Sequence, residues 1–152
     1  MREGVRLAVD VGTVRIGVAR SDRHAMLASP LETIRRGEGD VARLLALVAE
    51  HEAIEVYVGL PRALSGRTTA STEDAIGFAR EVDAALGAAR VRFVDERLST
   101  VSAAGQLHAS GKNAKRQRQV IDQVAATIIL EAALDSERRT GQQPGIPVTA
   151  IG

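Results

Sequence analysis

The stretch that most constrains the fold lies near the amino terminus, where two apolar runs flank a short glycine-containing turn. The runs are Leu7–Val11 and Val14–Ala19, and the turn is Gly12-Thr13. Two such runs on either side of a tight turn predict a β-hairpin. One acidic residue, Asp10, lies within the first run. A carboxylate at such a position needs a partner, because burying an unpaired charge costs several kcal/mol.

Two interpretations of Asp10 fit the sequence equally well. Gly12 and Gly17 leave space beside the acid, as the close approach of a phosphate backbone would require. Asp10 then belongs to a functional site. Alternatively, Asp10 is structural and pairs with Arg15 or accepts hydrogen bonds from backbone amides.

The rest of the chain divides into strands and helices by its hydrophobic periodicity and capping residues. Further strands are predicted over residues 28–34, 54–59 and 91–96, and helices over residues 40–51, 71–86, 99–110 and about 119–138. Pro30 indicates an edge position for the third strand. The order βββαβαβαα predicts an α/β fold, with one five-stranded mixed sheet and helices on both faces.

Length and composition limit the classes of protein. At 152 residues, the chain is long enough for one domain, which we assign to residues 1–139. Residues 140–152 lack periodicity, contain two prolines and are predicted to form a flexible tail. The chain has no cysteine, no apolar run approaching 18 residues and no charged-then-apolar leader. We therefore expect a cytoplasmic protein that does not associate with membranes. Both a monomer and a homodimer are compatible with the sequence.

Three more acidic residues are candidates for a site with Asp10. Asp95 and Glu96 end the last predicted strand, and only one of them can share a sheet face with Asp10. Their positions do not decide which, and either could equally be a solvated strand end or a partner of Arg97. Asp122 lies in the final helix beside the expected core stripe of Ile121, Val124, Ala125, Ile128 and Ala132. Its structural alternative is a pair with Arg118 one turn earlier.

Together, acids from three separate elements suit one chemistry. Carboxylate oxygens can hold one or two Mg²⁺ ions that bridge a scissile phosphate and activate water. Zinc is disfavoured because cysteine is absent and the three histidines are scattered.

Four motifs follow one another in the order found in the YqgF/RuvX family. They are Asp10-Val-Gly-Thr-Val-Arg-Ile-Gly-Val-Ala-Arg-Ser-Asp22, Val58-Gly-Leu-Pro61, Asp95-Glu-Arg-Leu-Ser-Thr100 and Ile121-Asp-Gln-Val-Ala-Ala126. The resemblance covers about residues 5 to 135. The family has a ribonuclease H-like fold and is described both as a nuclease of pre-16S ribosomal RNA and as a Holliday junction resolvase. One departure is Ser65-Gly66, where we expect Asp or Asn before the glycine.

The resemblance implies catalytic, metal-binding roles for Asp10, Glu96 and Asp122, with Asp95 as a secondary candidate. The implied cofactor is Mg²⁺, for which Mn²⁺ can substitute. Candidate phosphate-binding residues are Arg15, Arg97, Lys112, Lys115, Arg116 and Arg118. The last four lie in a basic run before Asp122, which suits a phosphate track. A solvated helix start is the alternative explanation of this run.

The sequence therefore predicts a Mg²⁺-dependent endonuclease acting on structured RNA, with the 5′ end of pre-16S ribosomal RNA as the first choice of substrate. Four-way DNA junctions are the alternative substrate. A nucleic-acid-binding module without catalytic activity is the alternative of another class. The Asp-Val-Gly-Thr motif also resembles the phosphate-contacting hairpin of sugar kinases and actin-like ATPases, but 152 residues leave no room for their second lobe.

Overall fold

The structure is a computed structural model that describes residues 1–60, 70–88, 90–95 and 114–150, with side chains from residue 120 onward in the last range. Its elements, numbered here in chain order, are β1 (Arg6–Val11), β2 (Arg15–Ser21), β3 (Ala28–Arg35), α1 (Asp40–His51), β4 (Glu55–Leu60), α2 (Ala70–Leu86), β5 (Val91–Asp95), α3 (Ala114–Thr140), β6 (Ile146–Pro147) and a 3₁₀ turn at Val148–Ala150. The helix expected over residues 99–110 and the Ser65-Gly66 departure lie outside the described residues.

The strands form one mixed sheet in the order β3-β2-β1-β4-β5-β6. The first three strands pair antiparallel, while β1, β4 and β5 run parallel. This arrangement confirms the predicted α/β class, the hairpin and the edge position of the strand that carries Pro30. The carboxyl ends of β1, β4 and β5 therefore lie at the same edge of the sheet, where ligands bind in open α/β sheets.

Helices cover both faces of the sheet, as predicted. On one face, α1 and α2 pack over alternate strand residues such as Leu7, Val9 and Val58. On the other face, α3 packs over Ala8, Ala19 and Tyr57. The small side chains of Ala8 and Ala19 let the long helix approach the strands closely. Residues two apart in a strand project to the same face, so Asp10 is on the α3 face with Ala8, whereas Val9 is on the other face.

The core stripe of α3 differs from the prediction by one residue. The buried residues are Ala126, Ile129, Leu130, Ala133, Leu134 and Glu137, whereas Ile121 is 38% exposed. A shift of one residue rotates a helix face by about 100°. Asp122 therefore begins the sheet-facing stripe instead of bordering it, since residues 122, 126, 129 and 133 recur at helical spacing.

The sheet has six strands, one more than predicted, and the sixth comes from the segment assigned to a tail. Ile146 pairs with Phe93, and the side chain of Val148 is buried. The Arg92 guanidinium donates hydrogen bonds to the carbonyl oxygens of Pro144 and Gly145 at 2.6 and 2.9 Å. A two-residue strand has no detectable periodicity, so the sequence pattern could not reveal it.

Among the described helices, none combines the length and the hydrophobicity that a membrane span requires.

Candidate active site

The β1–β2 hairpin places Asp10 next to a residue without a side chain. Asp10 is the cross-strand partner of Gly17, and the Gly12 N–H donates a 2.9 Å hydrogen bond to the carbonyl oxygen of Arg15 at the turn. Cross-strand partners project to the same face of a sheet. The face beside Asp10 is therefore open at Gly17, and a helix can occupy that space.

Helix α3 crosses the sheet at Gly17. A Cβ atom added there would overlap the backbone carbonyl group of Asp122. Only glycine permits this approach of the helix backbone to the strand. Asp10 and Asp122, which are 112 positions apart in the chain, thus both adjoin Gly17. The structure brings together two of the acids predicted from the sequence.

A salt bridge joins the hairpin to the helix at this crossing. The Arg15 Nε atom donates a 2.8 Å hydrogen bond to Asp122 Oδ2, and the two side chains are 26% and 18% exposed. The next residue of α3 makes a similar link to the edge strand, because Gln123 Nε2 donates to Thr33 Oγ1 at 2.9 Å. These two contacts hold the amino-terminal part of α3 over β2 and β3.

The hairpin is also held from the opposite face of the sheet, by Arg36. Its Nη1 atom donates to the Gly12 carbonyl oxygen at 2.7 Å and to Asp74 at 2.6 Å, and its Nε atom donates to Asp40 at 3.0 Å. The hydrogen bond from Arg36 holds the pKa of the Asp74 carboxyl below its ordinary value. Arg36 thereby ties the turn after Asp10 to the start of α1 and to Asp74 of α2. Its sequence context showed only a polar loop, so this role was not predicted.

The carboxyl end of β5 bears on the choice between Asp95 and Glu96. Phe93 packs with the α1 and α2 face, whereas Val94 packs with the α3 face. By this alternation Asp95, at the end of β5, belongs to the face opposite Asp10. Glu96 and Arg97 lie outside the described residues.

Of the predicted phosphate-binding residues, only Arg15 has a described side chain at the site. Lys115, Arg116 and Arg118 fall in the first turns of α3, for which the backbone alone is described, and Lys112 lies outside the described residues. Within the described part of the chain, no group of three acidic or histidine side chains is placed to hold a metal ion. The site there consists of Asp10 and Asp122, with Arg15 bound to the latter.

The family model of RuvX, described as a Holliday junction resolvase, matches residues 4–136. The chain belongs to this family. The match confirms the resemblance found in the sequence, and it includes Asp10, Asp122 and the whole of the crossing between the hairpin and α3.

Several curated relatives are similar over almost their full length. A protein of Clavibacter sepedonicus is 59% identical over 148 residues, covering 95% of this chain and 91% of its own. A protein of Leifsonia xyli is 58% identical, and the match covers 97% of this chain and 96% of the relative. A protein of Thermobifida fusca is 52% identical, and the match covers 95% of this chain and 96% of the relative. All three carry the name "Putative pre-16S rRNA nuclease".

Solved structures of RuvC share the fold. RuvC of Thermus thermophilus in complex with a Holliday junction substrate superposes with a TM-score of 0.57 and 15% identity, covering 93% of this chain and 99% of that one. A second structure of RuvC from this organism has a TM-score of 0.53 and 17% identity, covering 94% of this chain and 99% of its own. The chain thus has the ribonuclease H-like α/β fold that the sequence predicts.

Proposed function

We propose that this protein is a metal-dependent endonuclease that hydrolyses phosphodiester bonds in structured RNA, with the 5′ end of pre-16S ribosomal RNA as its substrate. The observation that carries the proposal is the meeting of Asp10 and Asp122 at Gly17, on one face of a ribonuclease H-like sheet. The names of relatives that are 52–59% identical support the choice of substrate.

The donor atoms at this site fit Mg²⁺. Two carboxylates adjoin the same glycine at the carboxyl end of β1, and hard cations of this kind prefer carboxylate oxygens. We propose Asp10, Asp122 and Glu96 as the residues that hold the metal, or Mn²⁺ in its place. The alternation along β5, which puts Asp95 on the face opposite Asp10, supports the choice of Glu96 over Asp95. When bound, the metal would neutralise charge on the scissile phosphate and lower the pKa of attacking water.

The basic residues would bind and orient the substrate. Arg15 already makes a charge-assisted contact with Asp122, so its guanidinium lies beside the proposed scissile phosphate. Lys112, Lys115, Arg116 and Arg118 precede Asp122 in the chain and would supply further phosphate contacts, and Arg97 follows Glu96. With an overall charge of only +1, affinity for nucleic acid must come from such local clusters.

A four-way DNA junction is the second candidate substrate. The description of the matching family as a Holliday junction resolvase supports it. Both substrates need the same hydrolysis of a phosphodiester bond, so the site geometry does not separate them.

A cleavage assay with both substrates tests the proposal. Labelled precursor RNA and a labelled four-way junction are incubated with the protein, with and without Mg²⁺. We expect Mg²⁺-dependent cleavage of the RNA, and loss of cleavage in the Asp10→Asn, Glu96→Gln and Asp122→Asn variants. Added Mg²⁺ should also raise the melting temperature of the parent protein, because a ligand of the native state stabilises it.

The other outcomes would contradict the proposal in different ways. If only the four-way junction is cleaved, the substrate is branched DNA and not RNA. Tight binding of RNA without cleavage, together with a melting temperature that Mg²⁺ leaves unchanged, would indicate a binding module without catalytic activity.

A further inference from the structure

Three strands of the sheet align their residues in rows at the active-site end. One row consists of Asp10, Gly17 and Thr33, and α3 crosses it at Asp122 and Gln123. The row of Val11, Ile16 and Ile34 comes next and faces the other way. The following row begins at Gly12, which is hydrogen-bonded to Arg15, and ends at Arg35, the cross-strand partner of Arg15 on the edge strand β3. Two arginines therefore stand side by side just beyond the pair of acids.

Both arginines belong to the α3 face of the sheet. Arg15 contacts Asp122 of that helix, and cross-strand partners project to the same face. The alternation along β3 agrees, because Thr33 contacts Gln123 of α3, whereas Ile34 packs with the core on the opposite face. Arg35 is thus on the same side of the sheet as Asp10 and Asp122.

Arg35 differs from the arginines around it in having no described partner. It is exposed, and it makes no ion pair or side-chain hydrogen bond within the part of the chain that the structure describes. The following residue, Arg36, binds Asp40, Asp74 and the Gly12 carbonyl oxygen. Arg43 binds Glu32 on the opposite face of the same strand. The carboxylate that contacts the Arg15–Arg35 row, Asp122, is bound by Arg15.

Two like charges directly opposite each other destabilise a sheet. A polyanion bound over Arg15 and Arg35 would offset the repulsion between their charges. Arginine is suited to phosphate because its planar group donates two parallel hydrogen bonds. Arg15 uses Nε for Asp122, and no described contact occupies its two terminal nitrogen atoms. Neighbouring strands lie about 4.8 Å apart. Each guanidinium group is carried on a long, flexible side chain, so the two groups can spread far enough to contact successive phosphates of one nucleic-acid strand.

We infer that Arg35 binds a backbone phosphate of the substrate, next to the phosphate held at Asp10, Asp122 and Arg15. The inference rests on the proposed nuclease function and extends its site to the sheet edge. The substrate strand runs from the acids across Arg15 to Arg35 and leaves the protein over β3, which is the edge strand of the sheet formed by the described residues.

The test compares Arg35→Gln with Arg20→Gln, which removes the same charge from the other end of β2. Arg20 is exposed, has no described ion pair and lies roughly 17 Å from Arg15 along the strand. Binding of labelled precursor RNA is measured in EDTA, which prevents cleavage, between 50 and 200 mM salt. For Arg35→Gln we expect the salt dependence to fall by about 0.7 to 0.9 log units per log unit of salt, the value for one lost phosphate contact. Arg20→Gln should match the parent.

Three further measurements make the result decisive. Arg35→Lys should restore most of the salt dependence, because it restores the charge. With Mg²⁺, Arg35→Gln should raise the KM for cleavage and leave kcat almost unchanged. Its melting temperature should equal that of the parent or exceed it slightly.

An Arg35→Gln variant with the salt dependence and KM of a parent that binds and cleaves RNA would overturn the inference and leave the proposed function standing. An equal loss in Arg20→Gln would also overturn it, since the effect would then come from overall charge. A parent that neither binds nor cleaves would overturn both.

Discussion

The sheet-facing stripe of α3 carries an acidic residue near each of its two ends, and the two acids have opposite surroundings. Asp122 and Glu137 are separated by roughly 22 Å along the helix. Asp122 is 18% exposed and has one arginine partner, Arg15. Glu137 is 3% exposed and lies among several charged groups. The comparison separates an acid that remains accessible to a ligand from one that is fully used in holding the fold.

The buried end is a closed network of two arginines and two glutamates. Arg2 binds both Glu55 and Glu137 at 2.7 and 2.6 Å, and Arg6, which is fully buried, binds Glu137 at 2.8 Å. The hydroxyl group of Tyr57 donates to Glu55 at 2.8 Å, and the Gln143 side chain donates to Glu55 at 2.6 Å. The network joins the amino terminus, β1, β4, the end of α3 and the carboxyl-terminal segment.

The pKa shifts in this network arise from burial and from its own members, as expected for a cluster that stabilises the fold. Burial opposes ionisation of Glu137, but the hydrogen bonds from Arg2 and the charges of Arg6 and Arg2 outweigh it and lower the pKa of Glu137 below its ordinary 4.5. Burial and the neighbouring Glu55 raise the pKa of the Tyr57 hydroxyl. Arg2 and Arg6 pair with the Glu137 carboxylate, and Arg2, Tyr57 and Gln143 bind the Glu55 carboxylate, so neither of these two carboxylates is left open to a metal or a substrate. At Asp122, by contrast, the only described partner is Arg15 and the side chain is partly exposed, which leaves space for a metal ion and for a substrate.

The largest effect is expected from Glu137→Gln. It removes one charge from the closed network and leaves Arg6 buried without full compensation. Breaking a buried pair in this way costs about 3 to 5 kcal/mol. Urea unfolding measures the loss, and Asp135→Asn is the control. Asp135 lies on the same helix in an exposed pair with Arg139, so its loss should change stability by less than about 0.5 kcal/mol.

The pH dependence of that loss gives an independent check. Because the pKa of Glu137 is lower in the folded protein, its stabilising effect is fully present above pH 4.5 and is lost as the pH falls through the folded-state pKa. The stability difference between the parent and Glu137→Gln should therefore shrink below pH 4.5. A difference that stays constant in acid would contradict the charged network.

Truncation after Thr140 should have the next largest effect, since it removes Gln143 from the network and β6 from the sheet. Loss of the buried Val148 side chain alone costs roughly 1.5 to 3 kcal/mol, and Arg92 loses two carbonyl acceptors. The sequence suggested instead that this segment is dispensable. Thermal melts decide between the two, with Ile146→Ala, at a 43% exposed position, as the control of small effect. If the truncated protein has the melting temperature of the parent, the prediction of a flexible, dispensable tail is correct.

Gly17→Ala tests the open end of α3. The new methyl group would overlap the Asp122 carbonyl group, so the helix must move away from the hairpin. Overpacking of this kind costs about 1 to 3 kcal/mol, and a displacement of 1 Å at a reacting group can lower activity about 100-fold. The matched control is Gly77→Ala in α2, where nothing lies within 4 Å of the new atom. That variant should be more stable by about 0.4 to 1 kcal/mol, with unchanged cleavage.

Asp122→Asn should have the smallest effect on stability and complete the contrast with Glu137→Gln. The pair with Arg15 is partly exposed, and such pairs contribute about 1 kcal/mol or less. Cleavage should nevertheless be abolished. Parallel unfolding and cleavage measurements on the two variants would show stability lost at one end of α3 and activity lost at the other. Equal destabilisation by both variants would contradict the distinction between the two ends.

The sequence by itself determined the elements with strong local patterns. Alternating β-formers around a glycine turn defined the hairpin, and Pro30 marked the sheet edge. The residues around Asp10 and Asp122 carried the family resemblance, which the family match then confirmed. These features depend on neighbours in the chain, so a sequence displays them directly.

Only the tertiary structure decided how distant residues are used. The hydrophobic pattern of α3 favoured a stripe through Ile121, whereas packing against Ala8 and Ala19 selected the stripe through Ala126. Close approach at Gly17 placed Asp122 beside the cross-strand partner of Asp10. The same packing buried Glu137, an acid that local polarity would assign to the surface. The hydrophobic pattern of a helix shows which faces it can bury. Which face is buried depends on the shape of the sheet surface against which the helix packs.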